Sequence, residues 1–398
     1  MRKPAWITLF FCLLSGLTAA CGPTLASTPV AANLPTATPV VAEPALTASP
    51  VVTTSPLSQY QVPVYYDPTY LAIINASKAE DALYIYSGQP QNSWNALIRT
   101  FNSHYPWIEV KTVEIDPAEV FQRYYQDLKD GQRAADLLIS ADPNGWYEFS
   151  FADDLFYHSQ EETQVPDWSK STLGTYTVFC EPMVLIYNQK LVSTPPHSMA
   201  ELAALVEDNP TTYQGQIVTY DVEKNALGLA VNGFWINVKK QTGWDLLTVI
   251  GKSRPRVLAS PQAIIDAVAS GEARIGYFVP LELVLANAGK SPSLSWTYLV
   301  DGQPVLLPGM MIAQKAASPN SARLMLDFIL SQEGQYTLSL GGLMPYRSDI
   351  ANAVPLHVDQ LSNELGDTNL IRGALDDRLT SASILINLVA KWKIALRQ

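Results

Sequence analysis

The stretch that decides the fold runs from Ala82 to Ile115, ALYIYSGQPQNSWNALIRTFNSHYPWIEVKTVEI. Its opening, ALYIYSG, is a short aromatic and β-branched run that stops at Ser87-Gly88, the composition of a buried strand ending in a turn. QNSWNALIRTFNSHYP then places Trp94, Leu97, Ile98 and Phe101 at i, i+3, i+4 and i+7, the spacing of a helix with one buried face. WIEVKTVEI alternates as a strand. Downstream, PAEVFQRYYQDLKDG reads as a helix with Pro117 near its start and Gly131 near its end, and ADLLIS as another buried strand. Upstream, DPTYLAIINASKAED carries Leu71, Ile74 and Ala79 at helical spacing. Strand, helix, strand, helix, strand is the order of a mainly parallel sheet covered by helices, so the fold class is α/β.

The chain before this body has a different character. Arg2 and Lys3 precede an apolar run, Ile7 to Leu17, and the small residues Thr18, Ala19 and Ala20 follow. This is a secretory signal over residues 1–20, too short to span a bilayer comfortably. Residues 22–58 hold seven Pro, seven Thr, seven Ala, no aromatic residue and a single charge, Glu43. Such a segment cannot bury enough apolar surface to offset its chain entropy, and it reads as an extended tether with a reach of roughly 40 to 110 Å. The body is then 59–398.

Composition narrows the function. The body is long enough for two lobes, and 47% apolar content with nine Trp and 19 Tyr is globular. Without Arg2 and Lys3 the chain has 24 basic against 37 acidic residues, a net charge of −13 that argues against nucleic acid. Cys12 leaves with the signal and Cys21 heads the tether. Cys180 stands alone in the apolar run YTVFCEPMVLIY, where a small buried hydrophobe is a better reading than a nucleophile. There is no GxSxG, HExxH or Walker A phrase, and His104, His158, His197 and His357 have no ligand spacing. Neither enzyme chemistry, nor a cofactor, nor a metal site is expected.

LTAAC, ending at Cys21, resembles the lipobox of bacterial lipoproteins, with Thr18 where leucine is usual. The resemblance implies cleavage before Cys21 and lipidation of its sulfur, which places the protein on the extracytoplasmic face of the cell membrane; two or more acyl chains make such anchoring durable. Six phrases of the body, in order, resemble bacterial extracellular solute-binding proteins of ABC importers. They are LYIYSG…WNALIRTFNSHYPWIEV, ADLLISAD, CEPMVLIYNQKLV…YQGQIVTYDVEKN, IIDAVASGEARIGY, PGMMIAQKAASPNSARLMLDFILSQEGQ and GGLMPYRSDI. Together they span about 68–350, and they are closest to the branch of ferric-iron and phosphorylated-solute binders. The resemblance implies a two-lobed type II periplasmic-binding-protein fold, each lobe a mainly parallel sheet covered by helices. It places lobe one at about 80–178 and 305–398 and lobe two at about 186–296, joined by two crossing segments. It implies a monomer that closes on a small solute and delivers it to permease subunits, or, alternatively, a sensory lipoprotein that signals through the same clamp. The tail helix in LTSASILINLVAKWKIAL, with Ile384, Leu388, Val389 and Trp392 on one face, is expected to pack on lobe one.

Ligands of open α/β sheets gather at the carboxyl ends of strands and the adjoining helix N-termini. That singles out Ser87 and Gly88 after the first strand, Ser140, Ala141 and Asp142 after the third, and Ser260 before Pro261. Each of these turns also has a purely local reading as an N-cap or turn. Trp94 and Trp146 follow the first two turns, as cleft aromatics or as core. The family resemblance adds Asn225, in TYDVEKN, and Tyr277, in IGYF. The ferric branch implies paired tyrosines here, but Phe278 follows Tyr277, so iron is not expected. A small anionic or hydroxylated organic solute leads. An Asp142 facing the solute would instead favour a sugar or a cation.

Overall fold

The computed structural model describes residues 62–152, 157–171, 174–373 and 382–398. The signal, Cys21 and the tether lie outside the described residues. The body begins with α1 (Tyr70–Ser77), then β1 (Leu83–Ser87), α2 (Gln91–His104), β2 (Val110–Glu114), α3 (Val120–Lys129), β3 (Leu137–Ser140) and α4 (Pro143–Ala152). β4 (Tyr176–Thr177) precedes β5 (Glu181–Asn188), α5 (Met199–Asp208), α6 (Pro210–Tyr213), β6 (Ile217–Tyr220) and α7 (Ala226–Ile250). Next come β7 (Arg256–Leu258), α8 (Pro261–Ser270), β8 (Ile275–Pro280), α9 (Leu281–Ala288), β9 (Leu294–Thr297), β10 (Gln303–Leu306) and β11 (Gly309–Ile312). The chain ends with α10 (Pro319–Leu330), α11 (Gln332–Leu340), α12 (Val358–Leu365), β12 (Leu370–Gly373) and α13 (Ala382–Leu396).

Two sheets result. The first has the order β2-β1-β3-β11-β4, with β1 parallel to both β2 and β3 and with β11 antiparallel to β3. The period-2 alternation of its strands sorts side chains onto two covered faces. Leu83, Ile85, Leu137 and Ile139 join Trp94, Leu97 and Phe101 of α2 on one face. Tyr86 and Leu138 meet Phe121, Tyr124, Trp146 and Phe149 on the other. The second sheet has the order β12-β10-β5-β8-β6-β7, with β9 paired to β5. β6 runs parallel to β7 and β8, while β5 is antiparallel to β8, β9 and β10.

The chain passes from the first sheet to the second between Thr177 and Glu181 and returns between Leu306 and Gly309. These two crossings are tied together by the Val178 N–H, which donates to the Pro308 carbonyl at 2.9 Å. A third crossing was not expected. After α11 the chain returns to the second sheet, where β12 pairs in parallel with β10. Near the crossings, Cys180 N–H donates to the Met344 carbonyl at 2.8 Å.

The tail corrects the sequence reading, because α13 packs on α7, beside the second sheet, and not on lobe one. The Trp392 indole N–H donates to Asn232 Oδ1 at 3.0 Å, and Lys393 pairs with Glu223. A Cβ on Gly251 would sit 2.0 Å from the Ala395 carbonyl oxygen, so the helix end lies directly on that glycine. The buried face is Leu388, Trp392, Ala395 and Leu396, whereas Ile384 is exposed. The second sheet also takes in Glu181 to Leu185, before the expected start of lobe two, and Gln303 to Leu306, beyond its expected end.

Candidate functional site

The turns at the strand ends of both sheets face a single cleft of about 970 Å³. One wall is built from Gly88-Gln89-Pro90, Glu114 to Pro117, and Ser140-Ala141; the other from Asn225, Ser260 to Gln262, and the helix α9 from Glu282 to Asn287. Phe179, Glu181 and Pro308, on the crossing segments, line it as well.

Five of the eight expected ligand positions therefore line one space: Gly88, Ser140, Ala141, Asn225 and Ser260. Their side chains are engaged locally. The Ser140 hydroxyl donates to the Pro117 carbonyl at 2.8 Å and accepts from the Asp142 N–H at 3.0 Å. Asn225 caps α7, accepting from the Gly228 N–H at 2.7 Å while its amide donates to the Ala259 carbonyl at 3.0 Å. Ser260 caps α8, accepting from the Ala263 N–H at 3.2 Å, with Pro261 in the first helical position. Gly88 is required by packing against protein: a Cβ there would lie 2.8 Å from Pro117 Cγ.

The other three expected positions do not line the cleft. Ser87 is buried, and its hydroxyl accepts from the Trp94 indole N–H at 3.2 Å and from the Gln89 N–H at 3.3 Å. Asp142 is a helix cap: its carboxylate accepts from Asn144 N–H and Gly145 N–H, both at 3.1 Å, and burial pushes its carboxyl up to about 6 against those two donors. Tyr277 is fully buried inside β8, a strand covered on both faces so that every one of its residues is buried. Trp94 and Trp146 are core residues, both fully buried; the Trp146 indole N–H donates to the Ser140 carbonyl at 2.8 Å.

Two carboxylates escaped the sequence reading. Glu181 opens β5 and Glu282 stands in the first turn of α9. β5 pairs with β8 up to Met183↔Pro280, and α9 begins immediately after; Glu181 and Glu282 line the same space, close enough for the charge of one to act on the other. Glu181 is 7% exposed. Burial, and then the charge of Glu282, push its carboxyl up to about 8, and hydrogen bonding from the Gln89 side chain opposes this. Burial pushes Glu282 up to about 7, opposed by Ser93, whose hydroxyl donates to Glu282 Oε1 at 2.7 Å. That bond runs from α2, beside the first sheet, to α9, beside the second. Glu282 Oε2 is buried with no hydrogen-bond partner. Glu114 and Asp116 are exposed at the rim, as is Lys290, the cation among the lining residues. Among the described residues no group of three or more His, Cys, Asp or Glu could hold a metal ion.

Comparison with solved structures places the fold. A substrate binding protein of an ABC transporter from Agrobacterium tumefaciens superposes with a TM-score of 0.69 at 20% identity, over 82% of this chain and 97% of that one. AfuA from Actinobacillus pleuropneumoniae, a periplasmic binding protein with fructose-6-phosphate bound, gives 0.63 at 16%, over 80% and 99%. Iron-bound HitA from Pseudomonas aeruginosa gives 0.60 at 17%, over 78% and 99%. At these identities the likeness is one of fold, the two-lobed type II periplasmic-binding-protein fold. Among curated proteins no match is found. Residues 83–343 match the family described as bacterial extracellular solute-binding protein, two thirds of the sequence and nearly all of both sheets, and the chain belongs to that family.

Proposed function

We propose that this protein is the extracytoplasmic solute receptor of an ABC importer, which closes its two lobes on a small solute and presents it to permease subunits. The observation that carries the reading is the convergence of strand-end turns from both sheets on one cleft, bounded behind by the chain crossings. A clamp works by hinge rotation about a few backbone segments, and the ligand adds contacts that only the closed form makes. The crossings at Val178 to Cys180 and Leu307-Pro308 are short and mutually bonded, which suits a shared hinge. Ser93 and Glu282 already bridge the lobes at one end of the cleft. The A. tumefaciens relative, described as the substrate binding protein of an ABC transporter, supports the partner class.

The protein acts as a monomer, without covalent chemistry, and is held to the membrane through lipid on Cys21. No described helix is long and apolar enough to cross a membrane. Gly88, Ala141, Asn225 and Ser260 border the solute, chiefly through their backbone, with the Asn225 and Ser260 side-chain oxygens accepting in helix caps.

Small-angle scattering tests the clamp. Adding the small-molecule fraction of yeast extract should shrink the radius of gyration, and an unchanged curve under conditions where a solute stabilises the protein would refute closure. For the anchor, Cys21→Ala should move the protein from the membrane fraction to the soluble one; retention after a salt wash would refute lipidation.

A further inference from the structure

We propose that the solute is an organic cation whose protonated amine is held by Glu181 and Glu282 at the back of the cleft; this rests on the receptor reading above. Four carboxylates line the space, Glu114, Asp116, Glu181 and Glu282, against one lysine, and Lys290 makes no ion pair with any of them. The acidity alone would be unremarkable at a rim. What singles out the back of the cleft is a carboxylate 93% buried and unpaired, beside a second whose Oε2 is buried and unbonded.

An isolated buried carboxylate is costly, and proteins normally supply a cation or several donors. The elements around Glu181 supply neither. α9 contributes Glu282, of the same sign; the turn after β1 contributes Gln89, a single neutral amide donor; and β6 contributes Tyr220, a buried hydroxyl without a hydrogen-bond partner among the described residues, on which Glu181 acts. α2 contributes Ser93, already committed to Glu282. Glu181, at the start of β5, and Glu282, in the first turn of α9 directly after β8, both line the cleft and also a small cavity beside it. An ammonium group on the solute would complete both at once with charge-assisted hydrogen bonds. On the first wall the Ser140 hydroxyl already donates to the Pro117 carbonyl and has no proton left for an anion. A bare metal ion lacks the third protein ligand, and about 970 Å³ suits an organic molecule.

Burial raises the Glu181 carboxyl to about 8, so a cation binding at neutral pH displaces a proton from it. Affinity should therefore rise from pH 6 to pH 8.5, with proton release visible in calorimetry run in buffers of different ionisation heat. An anion or a neutral sugar would bind with flat or falling affinity over this range.

The test divides the small molecules of yeast extract at pH 7 into cation-exchanger-retained, anion-exchanger-retained and unretained fractions. Each is assayed for thermal stabilisation of the full protein, and the active solute is then purified for calorimetry. The expected result is activity in the cation-retained fraction, with affinity about 10- to 100-fold weaker in Glu181→Gln and in Glu282→Gln, as expected for one lost charge-assisted bond. Activity confined to either other fraction, or a cationic solute indifferent to both variants and to pH, would overturn the inference and leave the receptor reading standing. No stabilisation by any fraction would count against the receptor reading itself, and the inference would fall with it.

Discussion

Replacing Glu181 with glutamine keeps the shape of a buried side chain and removes its charge. In the folded protein its carboxyl is raised from an ordinary 4.5 to about 8. Between those limits the folded chain holds a proton that the unfolded chain has lost. The associated stability is fully present below pH 4.5 and is lost as pH rises through 8. At 1.36 kcal/mol per unit the whole interval is worth at most about 5 kcal/mol, and access of water through the cleft, with Glu282 titrating alongside, brings the expected change to about 2–3 kcal/mol. The assay is urea unfolding of ligand-free wild type and Glu181→Gln at pH 5, 6.5 and 8.5. Other raised carboxyls, at Asp142 and Asp327, titrate in both proteins near 6 and cancel in the comparison. Wild type should lose about 2–3 kcal/mol relative to the variant between pH 5 and 8.5, so that glutamine is the more stable residue in alkali. Parallel profiles, or a variant less stable at pH 8.5, would refute the picture of an unpaired buried carboxylate.

Arg347 pairs with Glu161 at 2.5 Å in the interior, and Glu161 also accepts from Tyr65 at 2.8 Å and Tyr66 at 2.6 Å. Arg347→Ala strands that carboxylate and should cost about 3–5 kcal/mol in urea unfolding, well above a surface-charge effect. Trp392→Ala should cost about 3–5 kcal/mol, because it empties a fully packed site on α7 and frees Asn232 Oδ1; a cost under about 1 kcal/mol would show α13 to be dispensable. Asp142→Asn should leave solute affinity unchanged in calorimetry and stability within about 1 kcal/mol, since asparagine caps a helix nearly as well as aspartate.

The first sheet was legible because its signals are local. Helix α2 buries Trp94, Leu97 and Phe101, three of the four residues its spacing singled out, and α3 stops before Gly131, whose φ of +67° no other residue adopts so readily. Five cleft positions were legible for the same reason, since turn glycines, small residues and capping side chains announce the end of a strand or the start of a helix. Ser87, Asp142 and Tyr277 lie outside the cleft lining: Ser87 and Tyr277 are buried, and the Asp142 carboxylate turns back onto a helix end. Glu181 and Glu282 were illegible because they are 101 positions apart and come together only when β5 packs beside β8 and the start of α9. In the sequence one sits in an apolar run and the other in an ordinary helix start. The amphipathic character of α13 was readable, but its partner was not, since any apolar groove offers such a face the same local chemistry.

The central claim is that solute sits between the two walls of the cleft. Ala141 on one wall and Ala286 on the other both line it without side-chain hydrogen bonds of their own. Calorimetric titration of the purified solute into wild type, Ala141→Trp and Ala286→Trp, each checked for an unchanged unfolding midpoint, tests the claim directly. The account predicts that either tryptophan fills the space and weakens binding by about 100-fold or more, a loss of about 2.8 kcal/mol. Wild-type affinity in both variants would place the solute elsewhere and contradict the account.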